Sequence, residues 1–85
     1  MPQTIQVTQD DIARGKQRSC YECPIALALI RELKTEEVCV GDTMLSAGGD
    51  VYPTPTPAYD FIHAFDQGYE VKPFTFELEE FHAEG

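Results

Sequence analysis

Residues 15–33 read GKQRSCYECPIALALIREL. Arg14, Lys16 and Arg18 stand just before two cysteines spaced C-x-x-C. A proline and an apolar run follow. Ala, Leu, Arg, Glu and Lys are strong helix formers, and they dominate residues 24–34. Ile25, Leu29 and Leu33 fall on one stripe, with Ala26 and Ile30 beside it. Leu27 lies partly off that stripe, so the expected helix is buried on more than one side. Pro24 suits the first helical position, where its missing N–H has no partner to lose. It also drives Cys23 away from the α region, so the helix is expected to start at Pro24. Residues 19–22, SCYE, have capping-box spacing and can form a separate preceding turn.

Outward from this helix the periodicity changes. Ile5 and Val7 alternate with polar residues, as a half-buried strand does. Thr8 then suits an N-cap, with Asp10 and Asp11 in the first turn near the positive helix end. Ile12 and Ala13 are expected to face the core, and Gly15 to end this short helix with positive φ. Val38 and Val40 alternate around Cys39. Gly41-Asp42 reads as a turn and Met44-Leu45 as the returning strand. Gly48-Gly49-Asp50 is a second turn, and Val51-Tyr52 a third short strand. The run PTPTP ends pairing, because proline donates no ladder hydrogen bond. Residues 56–68 predict a helix capped by Thr56, with Pro57 at its first position and Gly68 at its end. Ala58, Phe61, Ile62 and Phe65 form its apolar face. Phe74, Phe76 and Leu78 then alternate with Thr75, Glu77 and Glu79, a one-sided strand. The order is β-α-α-β-β-(β)-α-β. It predicts an α+β fold with a small mixed or mostly antiparallel sheet and helices packed on one face.

The chain has 85 residues, which fits a single domain over 1–85 with 80–85 as a frayed tail. Small domains bury a modest fraction of their surface, and five Phe and four Tyr supply much of the apolar area here. No apolar run reaches the roughly 20 residues of a membrane span. The N-terminus lacks the basic start and apolar core of a signal peptide. A cytoplasmic protein with reduced thiols is expected, and three cysteines do not make a closed disulfide framework.

The net charge of −9 is unevenly spread. Residues 1–35 carry Arg14, Lys16, Arg18, Arg31 and Lys34 against Asp10, Asp11, Glu22 and Glu32. Residues 36–85 carry Lys72 alone against eleven acids. Nonspecific duplex binding needs a broad basic face, which this distribution denies. An anionic small molecule would instead be drawn to the start of helix 24–34, where unpaired N–H groups carry partial positive charge. Arg14, Lys16, Arg18, Ser19, Cys20 and Cys23 are the candidates for that site. The acidic half suggests a basic host protein as the other partner class, with Glu77, Glu79 and Glu80 as its contacts. A solvated acidic surface that aids solubility is the bland alternative.

The C-x-x-C pair also supports two other readings. A zinc site needs four ligands, and without a second C-x-x-C it would have to recruit from Cys39, His63 and His82, with Cys39 and His63 the leading candidates to join Cys20 and Cys23. A redox pair is the other, since a thiol at a helix start near Lys16 and Arg18 is expected to be stabilised as thiolate. A strand should precede such a motif, and a basic loop precedes this one. No metal or other cofactor is expected. No G-x-S-x-G, H-E-x-x-H or deaminase motif occurs, and a non-enzymatic role is expected.

The pattern I-x-V-T-x-x-D-I-x-x-G…C-x-x-C-P-I-A-L-A-L resembles a family of small proteins from bacteriophages and some bacteria. The matching positions are Ile5, Val7, Thr8, Asp11, Ile12, Gly15, Cys20, Cys23, Pro24, Ile25, Ala26, Leu27, Ala28 and Leu29. The resemblance runs to about Arg31, and FIHAFD…PFTFEL matches more loosely. It implies a phage accessory product acting in the host cytoplasm. Such a product would block a host defence, by binding a defence protein or by sequestering a nucleotide signal. Homo-oligomers are compatible with this reading, because a ligand pocket is hard to build within one short chain.

Overall fold

A computed structural model describes residues 3–78. Strand β1 (Gln3–Val7) leads into helices α1 (Gln9–Arg14) and α2 (Pro24–Leu33). Strands β2 (Val38–Val40), β3 (Met44–Ala47) and β4 (Asp50–Pro53) follow, then helix α3 (Thr56–Asp66) and strand β5 (Phe74–Leu78). The fold is α+β in the expected order, with the third central strand formed. Every pairing is antiparallel, but there are two sheets. One is β1 with β5; the other is β2-β3-β4. The division follows from the proline run. β4 ends at Pro53, and prolines at 53, 55 and 57 offer no N–H for further pairing. The chain turns into α3 and returns to pair with β1.

Each sheet buries one face. Ile5, Val7, Phe76 and Leu78 line the first; Val38, Val40, Leu45, Ala47 and Tyr52 line the second. Helix α2 packs against α1, β1, β2 and β3. That many neighbours require a wide apolar surface, and Ile25, Ala26, Ala28 and Leu29 are all completely buried. Helix α3 joins the same core through Ala58, Phe61 and Ile62, and the Phe61 ring stacks on Phe74 with centroids 4.8 Å apart. Among the described residues no helix is long and apolar enough to cross a membrane.

One polar cluster fastens the first three elements. Thr8 Oγ1 accepts from the Asp11 N–H at 3.2 Å, and Asp11 Oδ2 accepts from the Thr8 N–H at 2.9 Å, a complete capping box. The same carboxylate accepts from Arg31 Nη1 at 2.7 and 2.9 Å. Arg31 Nη2 donates to the Gln6 carbonyl at 2.6 Å. Asp11 is only 4 % exposed. A carboxylate so buried is tolerated because a backbone donor and a guanidinium meet its charge. The hydrogen bond to Asp11 raises the Arg31 pKa further. A raised basic pKa adds stability below its unfolded value and loses it as pH climbs through the folded one. The guanidinium therefore stays charged throughout the neutral range.

Several local expectations are corrected. Ile12 packs half-buried against the core, but Ala13 is exposed, because the buried side of α1 is occupied by Asp11. Gly15 has φ −70°, not positive φ. Its lack of a side chain provides clearance instead, since a Cβ there would lie 2.6 Å from the Pro24 ring carbons. Thr56 is the first residue of α3, and Pro55 is its N-cap. The Tyr59 N–H reaches the Pro55 carbonyl at 2.9 Å, so helical bonding begins one residue early. Gly68 does adopt positive φ, 86°, beyond the end of α3. Glu79, Glu80 and the expected tail lie outside the described residues.

Replacing Asp11 with Asn should lower unfolding free energy by about 2–3 kcal/mol, because the guanidinium loses its charged partner. Arg31→Lys should lose less, keeping charge but not the two-pronged geometry. Gly15→Ala should cost about 1–3 kcal/mol through overpacking on Pro24, although alanine favours helices. Urea midpoints at unchanged m-value measure all three.

Candidate binding site at the entrance of helix α2

The segment between α1 and α2 is held by backbone donors. The Lys16 N–H bonds the Glu22 carbonyl at 2.9 Å, and the Glu22 N–H bonds Ser19 Oγ at 3.0 Å. SCYE is thus a separate turn before the helix. Gln17 Nε2 donates to the Phe65 carbonyl at 3.0 Å, and the Arg18 N–H donates to Asp66 Oδ1 at 2.9 Å. These bonds dock the end of α3. Arg18 has φ 58°, uncommon for a residue with a side chain. On another side, the Val40 N–H bonds the Cys20 carbonyl at 2.9 Å. Residues 17–22 therefore connect α3 to β2, a contact that no local pattern announces.

Arg18, Ser19, Cys20 and Cys23 line one cavity of about 190 Å³, and Asp42 and Asp66 are also in its wall. Four of the six anion-site candidates are brought together, in mixed rather than purely positive surroundings. The other two are elsewhere. Arg14 Nη1 is paired with Asp10 at 3.1 Å, and Lys16 Nζ with Glu22 at 3.2 Å. Arg14 instead borders a second cleft with Asp10, Asp11 and Arg31.

The helix entrance is capped from within. Cys23 is the N-cap of α2, and its Sγ accepts from the Ala26 N–H at 3.4 Å. The Leu27 N–H bonds the Cys23 carbonyl at 2.9 Å. Burial pushes the Cys23 thiol up, outweighing the N–H donors that favour its anion. This corrects the expected thiolate: a cap position favours negative charge only while the group stays solvated or finds a cation, and Lys16 is paired with Glu22.

The metal-ligand candidates do not converge. His63 is exposed, with Nε2 3.9 Å from Asp42 Oδ2 and its ring centroid 4.3 Å from that of Tyr59. Among the described residues no group of three His, Cys, Asp or Glu side chains could hold a metal ion. Cys39 is half-buried, and its thiol interacts with that of Cys20. Sequence spacing paired Cys20 with Cys23 and gave no signal for this second neighbour.

The acidic half presents its charge outward. Glu36, Glu37, Asp42, Asp50, Asp60, Glu70 and Glu77 are exposed. Among the described residues none of them lies in ion-pair range of a lysine or arginine. The cations Arg14, Lys16 and Arg31 are each matched to acids of the first half. Glu77 stands opposite Thr4 across the β1–β5 ladder, so no cation faces it from the paired strand. It also borders a cavity of about 230 Å³ with Pro53, Thr54 and Pro55.

Comparison with protein-family models, curated proteins and solved structures finds no match to this chain.

Alkylation followed by peptide mapping should label Cys20 and Cys39 in the native protein, and Cys23 only after denaturation. Because it is buried in the helix cap and its pKa is raised, Cys23 should stay unlabelled at pH 8 to 9, where an accessible ordinary thiol ionises appreciably and reacts. Cys23→Ala should cost about 1 kcal/mol or more, from the lost cap and the packing defect.

Proposed function

We propose that this chain is a non-enzymatic binding protein whose acidic face, with Glu77 of β5 in it, engages a basic surface of a partner protein. One observation carries the reading. Negative charge in the second half is exposed and unmatched by lysine or arginine among the described residues, while three first-half cations are already in local ion pairs. Such a surface attracts a basic partner at long range and repels nucleic acid. The residues 79 and 80 that continue this acidic sequence belong to the same proposal. With the resemblance to small phage-encoded proteins, the biological role is an accessory product that occupies a basic host surface, a counter-defence role in the host cytoplasm.

A second reading rests on Arg18. Arg18 lines the α2-entrance cavity, and among the described residues no carboxylate lies within ion-pair distance of its side chain. A volume of about 190 Å³ is small beside the roughly 300–1,000 Å³ of pockets that enclose drug-sized ligands. It suits a phosphate group rather than a whole nucleotide, with Asp42 and Asp66 opposing the anion.

Capture from host lysate discriminates between the two. Under the acidic-face reading, recovered partners are basic, are released by about 0.5–1 M salt, and are lost with the Glu70→Lys, Glu77→Lys double variant. Unchanged capture by that variant would sink the reading. Under the Arg18 reading, calorimetric titration with a nucleotide panel gives heat that Arg18→Ala abolishes.

A further inference from the structure

The carbonyl of Cys20 is bonded to the Val40 N–H at 2.9 Å. That bond lays residue 20 beside the strand residue that follows Cys39. The two thiols lie there within interaction range of each other, and Tyr21 is within range of both. Cys20 and Cys39 are half-buried and free, whereas Cys23 is buried in the cap of α2. From this geometry we infer that Cys20 and Cys39 form a redox-active dithiol, which a low-molecular-weight disulfide converts to an intramolecular disulfide. The C-x-x-C spacing points to the wrong partner. Cys23 is turned inward to serve Ala26, while the Val38-Cys39-Val40 alternation turns Cys39 out towards the turn.

Exchange needs one attacking and one resolving sulfur, and Cys20, on the loop before α2, is assigned the attack. As thiolate it bonds one sulfur of the reagent, whose S–S bond breaks and releases a thiolate. That leaving thiolate is protonated, and Cys20 carries a mixed disulfide. Cys39 then gives up its proton and attacks Cys20 Sγ. The mixed disulfide breaks and releases the second reagent thiol. Two protein thiols lose two electrons and two protons in total, and one reagent disulfide becomes two thiols.

Closure would fasten residues 17–22 to β2 and enclose all of α2 in a covalent loop. The Val40–Cys20 hydrogen bond already joins these backbones in the reduced state, so the cross-link acts mainly on the unfolded chain. In a reducing compartment such a bond is transient and follows the thiol poise. The inference does not depend on the acidic-face reading, and its test involves no partner.

The full chain is equilibrated in glutathione buffers of graded reduced-to-oxidised ratio, quenched by alkylation, and read by intact mass and peptide mapping. The expected result is one internal disulfide joining residues 20 and 39, with Cys23 alkylated only after denaturation and the melting temperature raised by several degrees. Cys23→Ser should still form the bond. Cys20→Ser and Cys39→Ser, with folding checked by circular dichroism, should stop at a mixed disulfide or remain reduced. A 20–23 disulfide, a glutathione adduct on Cys20 that never closes in the natural chain, or no oxidation at any ratio would each overturn the inference.

Discussion

The carboxylate of Asp11 is the buried charge around which the first half of this protein is arranged. It completes the Thr8 cap of α1 and accepts two bonds from Arg31 of α2, which in turn holds the Gln6 carbonyl of β1. Three elements are therefore oriented by one side chain. Apolar burial supplies most of the driving force but little direction; the Asp11 cluster adds direction, because a half-satisfied buried carboxylate would be costly. Once α2 is placed, β2 and β3 pack on it, and the β4 hairpin follows from their register.

The same arrangement explains the polarity of the surface. Arg31 faces inward to Asp11, while Arg14 and Lys16 settle against acids within their own segment. The exposed acids of the second half are left without a lysine or arginine partner among the described residues, and of the basic-loop cations Arg18 shares a cavity wall with Asp42 and Asp66.

Much of the fold was legible. Alternation identified the buried residues of β1, β2 and β5, and the 3.6-residue period identified α2 and α3, because those patterns report a single boundary between core and water. Pro24 correctly marked the start of α2. What misled was local chemistry with two uses. Gly15 has the composition of a left-handed helix end but serves as clearance for Pro24. Thr56 has the side chain of a cap, yet Pro55 provides the carbonyl. A cap or a clearance depends on which atoms arrive from elsewhere, and neither is encoded in periodicity.

The cysteines mark the boundary most clearly. By itself the sequence determined that a proline-started, apolar helix follows a C-x-x-C, and that Cys39 points away from Val38 and Val40. Steric constraint at proline and the twofold repeat of a strand are local, so both could be read along the chain. Only the tertiary structure decided that Cys23 is withdrawn into the helix cap and that Cys20 lies against Cys39. That choice is made by the Val40–Cys20 hydrogen bond and by the docking of Gln17 and Arg18 on α3, contacts between segments far apart in sequence.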